Sequence, residues 1–233
     1  MRDLVAKYLL LLALALAVPA SLAQGMAPEA LLRTAADEVI AQIKYDPEFQ
    51  AADAAKIAAL VDTRIMPLFD FVHMTRLAMA RNWRLATPAQ QRMLTEEFKK
   101  LLVRTYSTAL AQYRDEVINF KQLRTVPLET EVTVKSEVKQ AGKEPMTLDY
   151  DMEKTAEGWK IYDVKVAGVR LVTTYREIFA EKVREGGVDG LIKSLADGNQ
   201  GRSSRFNAIK TAFWEKSRVI YAIFQNVFRS GPQ

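Results

Sequence analysis

The sequence predicts an α+β fold, with helices packed on a four-stranded antiparallel sheet. Three observations carry that expectation. Apolar residues in the first half recur at helical spacing and culminate in one long stripe after Thr87. After Arg114-Asp115 the period changes to two, and four short amphipathic strands follow. The stretch from Trp159 to Arg176 then changes period within itself. β-Branched and aromatic residues run from Trp159 to Val166, Gly168 interrupts, and Leu171, Val172, Tyr175, Ile178, Phe179 and Val183 return to helical spacing. A strand therefore ends at a glycine and hands over to a helix that folds back across the sheet.

Residues 1–23 read as a secretory signal peptide. Arg2 and Lys7 give a positive start, Tyr8 to Val18 is an unbroken apolar run of 11 residues, and Ser21-Leu22-Ala23 places small residues where a signal peptidase reads them. Cleavage is expected after Ala23. The run is short for a membrane span, and no later stretch reaches that length. The chain has no cysteine, which excludes a lipobox anchor, disulfides and thiolate chemistry.

The remaining 210 or so residues suffice for one domain with a substantial core, expected over residues 24–200. The formal net charge of +5 is uneven: the leader carries +1, residues 201–233 carry +5, and the body between them carries −1. The basic balance thus belongs to a tail, and with export it argues against nucleic acid as a partner.

The helices follow in order. Pro28 opens a pattern with Leu31, Leu32, Ala35, Val39 and Ile43 on one side, and Asp46-Pro47 closes it. A second, alanine-rich helix runs from about Phe49 to Ile65 and stops at Pro67. Phe69, Phe71, Val72, Leu77 and Met79 form a short helical segment that ends at Trp83. Thr87-Pro88-Ala89-Gln90 is a capping box with proline at the first helical position. The helix it opens carries Met93, Leu94, Phe98, Leu101, Leu102, Thr105, Tyr106, Ala109, Leu110 and Tyr113, enough to form the main wall of a domain.

The strands are Val117–Thr125, Glu129–Gln140, Met146–Lys154 and Trp159–Val166, joined by turns at Ala141-Gly142-Lys143 and Thr155-Ala156-Glu157-Gly158. Val132, Val134 and Val138 share one face of the second strand. Met146, Leu148, Tyr150 and Met152 oppose Asp149 and Asp151 on the third. The sheet is expected to be amphipathic, its apolar face covered by helices. The helix after Gly168 should end at Gly186-Gly187, a short helix Val188–Leu195 should close the body, and Asp197 to Gly201 reads as a linker. Phe206 to Phe228 forms a separate basic amphipathic helix. It is open to three uses: packing on the body or a second subunit, lying on anionic lipid head groups, or docking a protein partner.

Little here suggests catalysis. His73 is the only histidine, so a two-histidine metal site is excluded, and its apolar helical setting fits a partly buried structural histidine. No glycine-rich phosphate loop is present. Asp149 and Asp151 read as solvent-facing charges on an amphipathic strand. Asp163 alternates with Trp159 and Ile161 and is expected on their face, where it needs a partner such as Arg176 or a backbone donor. It suits an ion pair or turn clamp, then a polar ligand contact, then a general base. No cofactor is implied. Apolar wall is abundant: Phe98, Leu102, Tyr106, Leu110, Tyr113, Val132, Val134, Leu148, Tyr150, Val166, Val169, Leu171 and Val172. Pattern alone leaves open whether these residues fill a core or line a hollow one.

A resemblance bears on that choice. Trp83 with Thr87-Pro88-Ala89-Gln90, Leu101-Leu102, Thr105-Tyr106, Trp159-Lys-Ile-Tyr-Asp163, Val166-Ala-Gly168-Val169, Leu171-Val172 and Tyr175-Arg176 resembles, in order and spacing, the MlaC or toluene-tolerance family of periplasmic phospholipid carriers. The similarity runs from about Pro28 to Leu195. It implies a strongly bent sheet, an apolar cavity for the acyl chains of a glycerophospholipid, and no catalysis or metal. It also implies two partners, an outer-membrane lipoprotein–porin complex and the MCE-type subunit of an inner-membrane ABC transporter, in a system that keeps outer-membrane lipid asymmetry. Two other readings compete: a cone-shaped α+β enzyme with Asp163 as base, and a non-catalytic adaptor that acts through its C-terminal helix.

Overall fold

The computed structural model describes residues 25–45, 56, 59–111, 117–123, 129–139 and 144–200. The signal-peptide reading, the Ala141-Gly142-Lys143 turn, most of the alanine-rich second helix and the C-terminal helix lie outside them.

Helix α1 spans Pro28–Tyr45, as its proline start and apolar side predict. Around Pro67 the chain passes through a π-helical turn (Val61–Ile65) and a short 3₁₀ turn (Met66–Leu68). Helix α2 (Phe71–Met79) is capped by Asp70, whose side chain accepts from the His73 amide at 2.7 Å. A 3₁₀ segment, Ala80–Leu85, leads to α3 (Pro88–Ala111). The capping box forms in both directions: the Thr87 amide donates to Gln90 Oε1 at 2.9 Å, and the Gln90 amide donates to Thr87 Oγ1 at 3.3 Å.

Among the described residues, the sheet is an antiparallel meander of five strands in sequence order. They are β1 (Val117–Phe120), β2 (Glu131–Lys139), β3 (Met146–Thr155), β4 (Gly158–Val166) and β5 (Val169–Arg170). The fifth strand exceeds the sequence expectation. It is two residues long, too short to leave a periodic signal, and exists because Ala167 (φ 49) and Gly168 (φ 83) turn the chain tightly enough for Val169 to pair with Val166. Most of the outer edge of β4 remains for other contacts. Residue Phe69 bridges to Ile161 in parallel, and the Asp70 amide donates to the Ile161 carbonyl at 2.8 Å.

A bulge interrupts the β3–β4 ladder. Asp151 pairs with Asp163 but Met152 pairs with Ile161, so Tyr162 is an extra residue in β4. The bulge shifts the parity of β4 by one. Ile161 and Val164 both point to the apolar face, and Asp163 turns to the opposite one with Asp151. The expectation that Asp163 shares a face with Trp159 and Ile161 is therefore corrected, because strict alternation does not survive an inserted residue.

Helix α4 covers Leu171–Asn199, with a break at Gly186 and Gly187, where Gly187 takes φ 67 and ψ −169, a region open essentially to glycine alone. The first helical stretch therefore stops at Gly186-Gly187 as expected, and a second begins at Val188. That second stretch runs past the expected end at Leu195, and Asp197 to Asn199 are helix rather than linker. The reason is tertiary. Arg104 of α3 donates to the carbonyls of Gly198 and Asn199, in the last turn, where carbonyls lack their usual intrahelical partners. Asn199 Nδ2 donates to the Glu97 carbonyl and, at 2.8 Å, to Glu97 Oε2.

That clamp is pH-sensitive. Partial burial pushes the Glu97 carboxyl up, but hydrogen bonds from Lys100 and Asn199 outweigh it and hold the group below its ordinary value. A carboxylate depressed in the folded state contributes stability above its unfolded value of about 4.3, and that stability is lost as pH falls through the folded value. Glu97→Gln should lower the thermal midpoint at neutral pH, and the gap from the parent should close as pH falls through the depressed folded value. A gap that persists unchanged in acid would show that the ionised carboxylate contributes nothing.

Candidate functional site

Among the described residues, most buried apolar side chains fall into two clusters. The first lies among α2, α3 and α4 and has a large closed centre. Phe98 has no accessible surface, and its ring meets those of Tyr175 and Phe179 edge-on at 5.0 and 5.1 Å. Met74, Leu94, Leu102, Val172 and Leu191 close around them. The second cluster joins the inner face of the sheet to α1. Leu32, Val132, Val134, Met152 and Ile161 are buried at its centre, but the residues around them keep accessible surface: Leu31, Leu68, Phe120, Leu123, Tyr150 and Trp159. Phe69 and Val164 touch both clusters.

The residues expected to line one wall are thus divided. Phe98, Leu102, Leu171 and Val172 belong to the filled helical core. Val132, Val134 and Tyr150 belong to the sheet cluster, and the pairing of Ser136 with Leu148 and of Leu148 with Val166 extends the same face. Val166 is buried, while Leu148 and Val169, which pairs with Val166 across the turn, are half-buried. Tyr106 and Leu110 lie in α3 by backbone, but their side chains, and Tyr113 entirely, fall outside the described residues.

One polar spot interrupts the sheet face. Ser136 is buried and donates to the Leu148 carbonyl at 3.0 Å. Its hydroxyl also neighbours that of Tyr150, whose ring lies 6.2 Å from Phe120. Burial pushes the Tyr150 phenol above its usual range, although the residue keeps accessible surface. Sequence reasoning left Ser136, Met152, Ile161 and Phe120 off the list. Alternation on β2 and β3 would have placed Ser136 and Met152, and only the bulge explains Ile161.

The opposite face holds a buried ionic group. Asp151 and Asp163 are 3% and 2% exposed, so the expectation of a solvent-facing Asp151 is corrected. Thr133 donates to Asp151 Oδ1 at 2.7 Å, and Lys165 approaches the same oxygen at 3.2 Å. Arg170 bridges the two carboxylates, donating to Asp163 Oδ2 at 2.9 Å and standing 2.8 Å from Asp151 Oδ2 as a charge contact rather than an aligned hydrogen bond. Asp163 Oδ1 accepts from the amide of Val172, in the first turn of α4. Asp163 is therefore a clamp that fixes the corner helix to β4, and its partner is Arg170. Arg176 is engaged elsewhere, donating to the Leu77 carbonyl. His73 is partly buried as expected, with Nδ1 2.6 Å from Glu153 Oε1 and its ring stacked on Tyr162 at 4.5 Å.

Among the described residues, no group of histidine, aspartate or glutamate has the arrangement of a metal site, and no helix is long and apolar enough to cross a membrane. The chain is similar to known proteins over most of this body. A solved structure of a phospholipid-binding protein from Ralstonia solanacearum, in complex with a phospholipid, is 41% identical, superposes with a TM-score of 0.68, and covers 75% of this chain and 97% of its own. The toluene tolerance protein ttg2D of Pseudomonas putida is 22% identical over 77% of this chain and 83% of its own. The intermembrane phospholipid transport system binding protein MlaC of Haemophilus influenzae is 20% identical over 72% and 80%. The model of the MlaC protein family matches residues 33–197, from within α1 to the end of α4, and on that coverage the chain belongs to the MlaC family.

Proposed function

We propose that this protein binds a glycerophospholipid on the apolar face of its sheet and carries it between the outer and inner membranes of the cell envelope. The observation that carries the reading is the half-open sheet cluster: apolar side chains from α1 and β1 to β4 stay partly accessible around a small buried centre, while the helical cluster has a much larger closed centre. The bound phospholipid of the Ralstonia solanacearum relative and the names of the other relatives support it. Wall residues are then Val132, Val134, Leu148, Tyr150, Val166 and Val169, and the expectation adds Tyr106, Leu110 and Tyr113, whose side chains lie outside the described residues. Phe98, Leu102, Leu171 and Val172 support the wall from behind.

The thermodynamics suit carriage. Exposing acyl chains to water costs about 0.8 kcal/mol per CH₂, whereas moving them between two apolar media is nearly neutral. Such a protein removes the aqueous barrier and performs no covalent chemistry. The working protein is periplasmic, cleaved after Ala23, with residues 24–200 as the lipid-binding domain and residues 201–233 as a basic tail suited to a membrane surface. Its partners are the MCE-type subunit of an inner-membrane ABC transporter and an outer-membrane lipoprotein–porin complex, which maintain outer-membrane lipid asymmetry with it.

The test is mass spectrometry of the organic extract of protein purified from periplasm without detergent. Near-stoichiometric phospholipid is expected. Lipid-free protein that also takes none from labelled vesicles would overturn the reading.

A further inference from the structure

We propose that an arginine patch around the end of α2 is a docking surface for an anionic lipid bilayer. Between Asp70 and Glu96 the chain carries Arg76, Arg81, Arg84 and Arg92 and no acidic residue, in a body whose net charge is −1. The fold brings Arg76, Arg81 and Arg84 together at the end of α2, with Arg92 near the start of the helix that follows, and adds another charge. Arg81 and Arg84 are three apart in the 3₁₀ segment, where residues at that spacing eclipse, so they project from one side. The Ala80 amide donates back to the Arg76 carbonyl, which holds that arginine beside the segment. Arg176 comes across from α4, its Nε donating to the Leu77 carbonyl at 3.3 Å.

All five arginines are exposed, and among the described residues none of them makes an ion pair. Cations elsewhere on the described surface are commonly matched, Lys121 with Glu137 and Lys182 with Glu185 for example. The acidic groups on adjoining turns are Glu96 on α3 and Glu177 and Asp189 on α4, and Asp189 is held by Gln90 at 2.7 Å. An unopposed cluster of guanidinium groups is a site for dense negative charge.

The apolar component selects a bilayer over an acidic protein. Leu85 follows Arg84 directly and is 66% exposed, and Met93 follows Arg92 and is 45% exposed. Trp83 lies between the two arginines of the segment, packed against the helical core and still partly accessible. Arginines interleaved with exposed apolar tips match the interface of a membrane, where charge meets phosphate and apolar atoms enter the acyl boundary. The patch lies wholly within the helical layer, so this inference does not rest on the sheet face holding lipid.

The test is co-sedimentation of the full chain with phosphatidylglycerol-containing vesicles and with pure phosphatidylcholine vesicles, at low and high salt. The parent is expected to bind the anionic vesicles and lose them in salt. Each arginine near the surface is worth about fivefold, so Arg81→Gln with Arg84→Gln should weaken binding about 25-fold and flatten the salt dependence. Leu85→Ser should weaken binding without changing the salt dependence. These side chains are exposed and unpaired, so near-ultraviolet circular dichroism should match the parent, and lipid extracted from the protein should be unchanged. Equal binding by the double variant would assign vesicle contact to residues 201–233 and overturn the proposal. So would a parent that binds neither vesicle, or a double variant that keeps vesicles but loses an acidic protein partner.

Discussion

Replacing Asp163 by alanine is expected to destabilise the protein by about 3 kcal/mol or more. Three losses coincide. The Val172 amide loses its acceptor at the start of α4, which by itself costs about 1 kcal/mol for a helix N-terminus. Arg170 keeps one carboxylate where it had two, and the Val164 amide, which donates to Asp163 Oδ1 at 2.9 Å, loses its acceptor as well. The half-exposed guanidinium of Arg170 can rehydrate, which places the effect at the low end of the range for breaking a buried pair. Urea unfolding checks it. Asp163→Asn, which keeps an acceptor for Val172 and loses the charge, should fall between parent and alanine. A loss below about 1 kcal/mol for the alanine variant would mean that Asp163 is a bystander to the corner.

The second expectation separates the two apolar clusters. Leu148→Glu should reduce co-purifying phospholipid more than tenfold with the fold retained, because a carboxylate on a half-open apolar wall reaches water in the empty protein but is desolvated under an acyl chain. Phe98→Ala should do the reverse. It opens a void in a filled core and costs about 3–5 kcal/mol of stability, yet folded molecules should still carry lipid. Lipid phosphorus per protein and unfolding midpoints give both readouts. A Leu148→Glu protein with parental lipid content would remove the sheet face from the proposed site, and lipid loss confined to Phe98→Ala would move the site among the helices.

The two substitutions also mark how far the sequence could be read. Phe98 and Leu148 look alike in the sequence, each an apolar residue at the right spacing on an amphipathic element. Periodicity tells which face of an element is apolar, but not whether a neighbour fills the space beyond it. The family resemblance named a cavity without dividing its wall from its support. Asp163 shows a different limit. Its need for a partner was plain from burial alone, but the inserted Tyr162 changed its face and Arg170 replaced Arg176 as its partner.

What the sequence determined by itself was local: the Thr87–Gln90 capping box, the proline starts, the alternating strands, and the glycines at 168 and 187, whose positive φ angles other residues adopt only with strain. Each depends on residues a few positions apart, so the chain encodes it legibly. Only the tertiary structure decided the bulge in β4, the burial of Asp151 and Asp163 under one arginine, the extension of α4 to Asn199 on Arg104, and the division of apolar residues into filled and half-open clusters. Those features join residues from different elements, and their energies depend on which side chains meet.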